Sequence, residues 1–390
     1  MRKRICHVIT GLPRAGAQRV LTDLLAHRSP EFEAQVISLL PRDAMAEDIE
    51  ALGVPVWSAD LDRSLRLAPR LVALGRFLRR ARPALVHTWM YHGDVVGGAV
   101  AKLAAPRAPV VWHLHHGTED FGTLRPSTRA LVAAGARLSR SLPTRIIACA
   151  DSTRRLHEAR GYDSAKMTVI RNGVDLERYR PRPNRTLLPA LGVPVGAPVI
   201  GLAARFHPHK DHATFVQAAR QLAERRPDVH FVLCGAGVDR ANPALASAAA
   251  SERFHLLGER RDLDQLLPEL DISTLSSTVE ACSLVLLESM ASGVPCVATA
   301  VGDSAELIGD TGITVPPRDP AALAAAWAAV LEGGPAARRA RGQAARARVE
   351  QHFGWAQMAR SVEDVYRDSL GESPSGADSP PARGMHSSGA

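Results

Sequence analysis

Aromatic residues are scarce: Phe, Trp and Tyr make up 4% of 390 residues. That is too few for the stacking platform on which single-stranded nucleic-acid binders hold bases. Cysteine is scarce as well. Cys6, Cys149, Cys234, Cys282 and Cys296 are odd in number, scattered, and show no metal-site spacing. Cys6, Cys149, Cys234 and Cys296 lie in or beside apolar strand-like runs, which reads as core packing in a reducing compartment. No apolar run reaches the ~18 residues of a membrane span. The start, MRKRICHVITGLP, is basic but holds only a short apolar stretch, so it does not read as a signal peptide. Acidic charge is in deficit, 40 Asp and Glu against 48 Lys and Arg, a formal +8. The excess admits anionic partners such as nucleotide diphosphates, lipid phosphates or nucleic acid. No nucleic-acid motif accompanies it, and an Arg- and Ala-rich chain also follows from a GC-rich genome.

What is present is a repeated α/β rhythm. Apolar residues make up 46% of the chain, enough for a large core, and the length suggests two or three domains. Residues 4–10 read as a buried strand, 11–18 as a glycine-bearing loop and 19–27 as a helix, the opening of a doubly wound domain. Strands recur near 34–39, 54–57, 84–88, 110–114, 146–150 and 167–170. A helix over 154–160 is expected to be capped by Asp151, Ser152 or Thr153. Asn172-Gly173 reads as a tight turn that needs positive φ. Pro181-Arg182-Pro183-Asn184 is the best linker. The pattern restarts with a strand at 198–203. The basic helix 65–81 carries Arg66, Arg70, Arg76, Arg79 and Arg80 opposite a leucine stripe. It fits either an ordinary solvated face or docking on an anionic membrane surface.

Four stretches carry candidate chemistry. In 271–299 a short strand breaks at Ser276-Ser277-Thr278. Ser283 then looks like the N-cap of a helix through Leu284 and Val285 to Ala291, which Gly293 stops. Glu280 and Glu288 flank the helix start. On one unbroken helix they would lie ~80° apart around the axis and ~12 Å along it. With Glu280 on the loop and Glu288 on the helix, both could face a ligand across the helix N-terminus, where amides attract phosphate. Taken alone, such a pair is a turn cap and a solvated helix residue. Glu288, however, sits among Leu284, Val285, Leu286, Leu287 and Met290, where a carboxylate needs a partner. In the second stretch, Arg205 and Lys210 sit five residues apart on a strand-to-helix loop and suit the two phosphates of one diphosphate. The third, Gly235-Ala236-Gly237, ends a strand with bare backbone. The fourth comprises His92 and Asp94 after one strand and His115 and His116 after the next, at the strand ends where doubly wound sheets bind ligands. Three histidines near one another raise the question of a metal, but they lack an alternating ligand pattern facing one side.

These motifs resemble glycosyltransferase family 4, the retaining, nucleotide-sugar-dependent enzymes of the GT-B fold. The carriers are the E-x7-E pair at 280 and 288, the G-x-x-x-R-F-x-x-x-K run ending in Arg205 and Lys210, and V-I-R-N-G-V-D at 169–175. Supporting matches are the G-A-G loop, V-G-D-S-A-E at 301–306, and T-W-M-Y-H-G-D at 88–94, which is similar to a cell-surface polysaccharide branch. The loop 11–18 is similar to the family's GG-x-E loop, with Ala15 and Gln18 replacing its first Gly and its Glu while Gly16 remains. Ala281, Cys282, Ser283 and Leu284 replace the Gly, aromatic, Pro and Asn usual between the two glutamates.

The resemblance implies an α/β GT-B architecture of two Rossmann-like domains facing across a cleft. Residues 1–183 would bind acceptor and 184–350 the nucleotide sugar. Residues 351–370 would cross back to the first domain, and the tail from 371 would lack order. Arg205 and Lys210 would neutralise the diphosphate, Glu288 hold ribose hydroxyls, and Glu280 and His116 meet the sugar. Gly16, Gly235, Gly237, Ser283, Leu284 and Val285 would line the donor. His92, Asp94, His115 and Asn172 would lie on the acceptor or sugar side. No metal or other cofactor is implied, and the location would be cytoplasmic, with or without attachment to the inner membrane face. A nucleotide-sugar epimerase, or an inactive donor-binding partner subunit, would keep the same donor site.

Overall fold

The computed structural model describes residues 2–61, 67–117, 124–182 and 184–373. Two parallel sheets organise it. The first contains β1 (Lys3–Ile9), β2 (Phe32–Ser38), β3 (Val56–Ser58), β4 (Leu85–Trp89), β5 (Val110–Leu114), β6 (Arg145–Ala148) and β7 (Met167–Val169), in the order β3-β2-β1-β4-β5-β6-β7. The second contains β8 (Val199–Ala203), β9 (His230–Cys234), β10 (Phe254–Leu256), β11 (Ile272–Leu275), β12 (Cys296–Thr299) and β13 (Ile313–Val315), in the order β10-β9-β8-β11-β12-β13. Each half therefore reverses direction beside its first strand, the switch point where such sheets bind ligands. Strands covered on both faces read as near-continuous apolar runs. Ile5, Cys6, Val8 and Ile9 in β1 are fully buried, as are Val199 and Ile200 in β8.

Two helices close the chain. Gly334–His352 lays Ala345 and Val349 into the core of the second half. A Cβ on Gly342 would stand 1.9 Å from the Gly293 carbonyl oxygen, so only glycine lets these backbones touch. Trp355–Ser369 returns to the first half and buries Met358, Val362 and Tyr366 beside Ile5, Leu21 and Leu85. Each such side chain contributes about 1.5–3 kcal/mol on burial. The Tyr366 hydroxyl and His87 Nδ1 are 2.6 Å apart, tying the helix to the middle of β4.

Several local expectations are corrected. The first helix starts at Gly16, not Arg19, so Gly16 belongs to its first turn. The helix after β6 starts at Asp151, and none of its own side chains caps it; Asp303 does. Gly173 does not take positive φ. It is glycine because a Cβ would stand 2.8 Å from the Cα of Trp355. In the basic helix Leu67–Ala81, Leu74 and Leu78 are buried while Val72 is exposed. Arg76, Arg79 and Arg80 face solvent, Arg70 bonds the Asp60 carbonyl, and Arg66 lies outside the described residues. The expected disordered tail lies outside them from residue 374.

Candidate active site

The loop leaving β8 is built on the G-A-G loop leaving β9. The Ala204 and Phe206 amides donate to the Cys234 and Ala236 carbonyls, both at 2.8 Å. Gly235, at φ 145°, leaves room for this approach: its Cβ would lie 2.2 Å from the Ala204 oxygen. Arg205 stands exposed on the resulting turn. Asp211, in left-handed conformation, ends the turn and accepts from the Thr214 amide at 3.2 Å and hydroxyl at 2.6 Å, starting the helix His212–Arg225.

Two further bonds stitch this basic loop to the one after β11. Ser276 Oγ donates to the Lys210 carbonyl at 2.8 Å, and the Thr278 amide donates to the His209 carbonyl at 2.8 Å. The side chains meet as well. Lys210 Nζ pairs with Glu280 Oε1, which also accepts from Ser277 Oγ at 2.8 Å. A Lys and a Glu predicted from separate motifs thus share one partly buried contact.

The Glu280–Ala281 peptide is held from both halves. A Cβ on Gly117, after β5, would stand 2.2 Å from the Glu280 oxygen, and one on Gly302 would stand 2.5 Å from it. Asn172 Nδ2 donates to the Cys282 carbonyl at 2.8 Å. Asn172, 5% exposed, therefore braces the Glu280 loop. A cavity of about 640 Å³ opens between the halves, lined by Gly117, Ser152 and Arg155 on one side and Thr278, Glu280 and Arg318 on the other.

His116 sits at the end of β5 beside Gly117. Its ring stacks on Tyr91, centroids 4.0 Å apart and planes 12° apart. Burial, reinforced by His157 and His92, lowers its pKa to about 3, so the ring is neutral at pH 7. The support is a closed circuit. Tyr91 Oη lies 2.9 Å from His157 Nε2, His157 Nδ1 lies 2.7 Å from the Thr153 carbonyl, and Thr153 Oγ1 donates to the His116 carbonyl at 3.2 Å. Because His157 Nδ1 must donate to that carbonyl, its Nε2 accepts from Tyr91. His115 stacks instead on Trp89 at 5.2 Å, and His92 is half-buried. Asp94 does not reach the cavity. It is 1% exposed and accepts from Thr88 Oγ1 at 2.6 Å, and burial raises its pKa well above the carboxylate range.

Glu288 lies on the helix Leu284–Ala291. It is 8% exposed, and burial raises its pKa. Opposing that rise are Arg19, from the first helix, and the Tyr179 hydroxyl. Arg19 Nε also holds Asp23 at 3.0 Å, and burial pushes Asp23 up to about 7. Ser283 occupies the N-cap position without a side-chain bond, Leu284 packs on the N-terminal core and Val285 on the C-terminal one. Sequence reasoning did not find Arg19, Tyr179 or His157. Tyr91 was in view inside T-W-M-Y-H, and Asp303 inside V-G-D-S-A-E, but without roles.

The fold and cleft define the class of two-domain GT-B glycosyltransferases. Residues 14–178 match the family model described as Glycosyltransferase Family 4, and residues 197–333 match that of Glycosyl transferases group 1. The chain is 27% identical over 310 residues to UDP-Gal:alpha-D-GlcNAc-diphosphoundecaprenol alpha-1,3-galactosyltransferase of Escherichia coli, covering 76% of this chain and 79% of that one. It is 29% identical over 392 residues to a glycogen synthase of Mycobacterium tuberculosis, covering 93% and 90%. Among solved structures, HepE of Anabaena in complex with UDP superposes with a TM-score of 0.82 at 23% identity, covering 94% of this chain and all of that one. Sucrose-phosphate synthase of Thermosynechococcus elongatus gives 0.79 at 19% identity, covering 95% and 100%. The chain belongs to glycosyltransferase family 4 and is a sugar-transferring enzyme.

Proposed function

We propose that the chain moves a sugar, with retention at the anomeric carbon, from a nucleotide diphosphate sugar to a glycan or lipid-linked acceptor in cell-surface polysaccharide or glycolipid synthesis. The observation that carries this reading is the Lys210–Glu280 contact at the mouth of the interdomain cavity. When donor binds, Lys210 turns from Glu280 to the diphosphate and Arg205 grips it bidentately. Glu280 is then released to the sugar hydroxyls. Breaking the glycosidic bond separates an oxocarbenium-like sugar from a diphosphate, so fixed cations on the leaving group lower the barrier. That role needs no metal. Neutral His116, held on Tyr91, meets the sugar from the other half. HepE was solved with UDP and with UDP-glucose, which makes a uridine nucleotide the first donor to test.

The reading places the enzyme in the cytoplasm. Arg70, Arg76, Arg79 and Arg80, with Arg66, would draw the acceptor half toward an anionic inner membrane face; no described helix is long and apolar enough to cross one. A thermal-shift panel of nucleoside diphosphates and their sugars tests the donor site: a ligand at 100 times its Kd adds about 2.7 kcal/mol. Lys210→Ala should lower kcat by ~100-fold or more, as loss of a leaving-group stabiliser does. Turnover near wild type would remove Lys210 from the mechanism.

A further inference from the structure

Asp303 follows Gly302 in the loop after β12, on the C-terminal half. Its side chain is fully buried, 0% exposed, although it belongs to a surface loop of that half. Both carboxylate oxygens cross to the N-terminal half. Oδ2 accepts from the Asp151 amide and Oδ1 from the Ser152 amide, each at 2.8 Å. These amides open the helix Asp151–Glu158, whose N-cap residue Ala150 supplies no side-chain partner. Arg171, between β7 and the linker, donates to Oδ2 at 3.3 Å and pairs with Glu306 at 2.6 Å. The backbone amide of Asp303 donates to the Ala281 carbonyl at 3.0 Å.

One residue therefore touches a helix of one domain and the peptide next to Glu280 in the other. Charge-assisted bonds to a helix N-terminus are strong and directional. They exist here only while the two halves are together. Opening the cleft leaves the Asp151 and Ser152 amides uncapped and frees the Glu280 loop on one side. The carboxylate also fills the amide cradle that would otherwise attract a phosphate, which leaves Arg205 and Lys210 to the donor.

We propose that Asp303 is a positioning residue: a cap reaching across the domain boundary that couples closure of the cleft to placement of Glu280. The part of this proposal that concerns turnover rests on the transferase reading above. Two variants test it from opposite sides. Asp303→Asn keeps the volume but removes the charge and one acceptor oxygen. Asp151→Pro leaves Asp303 intact and removes the first amide it grips; proline suits the first helical position, and the extended Ala150 before it suits a following proline.

Three readouts are taken with UDP and UDP-glucose: calorimetric UDP affinity, kcat for release of UDP from UDP-glucose with water as the glucosyl acceptor, and the radius of gyration with UDP bound. Both variants should bind UDP within threefold of wild type, lose ~10- to 100-fold in kcat as a misplaced reacting group does, and scatter as more open molecules. Wild-type kcat and scattering in Asp151→Pro would overturn the proposal, as would a kcat loss in both variants that only follows a matching loss of UDP affinity. A wild-type protein that binds neither UDP nor any other nucleoside diphosphate would sink the transferase reading instead. The scattering of the two free variants against free wild type would still judge the clamp.

Discussion

Glu280 and Glu288 lie eight positions apart in one stretch, yet the structure gives them opposite surroundings. Glu280 rides a loop at the cavity mouth, paired with a lysine from a neighbouring loop. Glu288 is inside the second turn of a helix, buried, with its counter-charge on the first helix of the other half. A partly buried ion pair at a cavity mouth is exchangeable: an entering phosphate can take the place of one partner. A buried carboxylate is not, because removing its partners leaves an uncompensated group. On the transferase reading proposed above, the contrast leaves Glu280 available for chemistry. Glu288, in the unliganded protein, instead meets Arg19 and the Tyr179 hydroxyl.

The largest expected effect sharpens that contrast directly. Glu280→Gln should lower kcat by ~100-fold, the size of losing one preorganised electrostatic contact, with a melting temperature close to wild type. An unaltered kcat in steady-state assays would break the contrast at its functional end. Next, Glu288→Ala should cost about 1–3 kcal/mol in urea unfolding, since it strands the Tyr179 hydroxyl and leaves Arg19 with Asp23 alone. A variant as stable as wild type would make Glu288 a ligand-facing residue after all.

Acid should act through the buried histidines. Burial holds His7, His115 and His116 near pKa 3 and His157 and His212 near 4. The unfolded chain takes up these protons first, at its ordinary pKa near 6.5. The histidines' contribution to stability is therefore full above pH 6.5 and falls as pH drops toward 4, by up to about 1.4 kcal/mol per unit for each, while Asp23, pushed up to about 7, offsets one of them below pH 7. Chemical denaturation at pH 7 and pH 5 checks this, and equal stabilities would contradict it. The smallest effect is Tyr91→Phe. It keeps the stack under His116 but drops the bond to His157, so kcat should fall only several-fold, on the scale of one net hydrogen bond of ~1 kcal/mol. A loss as large as that of Glu280→Gln would move the centre of the chemistry to the N-terminal half.

The two-sheet fold was legible because its signal is local and repeated. Near-continuous apolar runs such as 5–9, broken only by His7, and 199–202 mark strands covered on both sides, and glycine loops mark the turns between them. The meeting of Lys210 with Glu280 was legible because loops at adjacent strand ends must come near one another at the switch point. What stayed hidden depends on contacts between distant segments. Asp151 looked like its own helix cap; only the folded chain brings Asp303 to those amides. Gly173 looked like a turn glycine, but Trp355, far along the chain, is what excludes a side chain there. The partners of Glu288 come from positions 19 and 179, which no spacing rule connects to 288.

The most direct measurement is a crystal structure of the protein with a bound uridine diphosphate sugar. The account predicts the diphosphate within hydrogen-bond distance of Lys210 Nζ and the Arg205 guanidinium, with Glu280 released to the sugar. A diphosphate seated elsewhere, with Lys210 still closed on Glu280 and Arg205 turned to solvent, would contradict it.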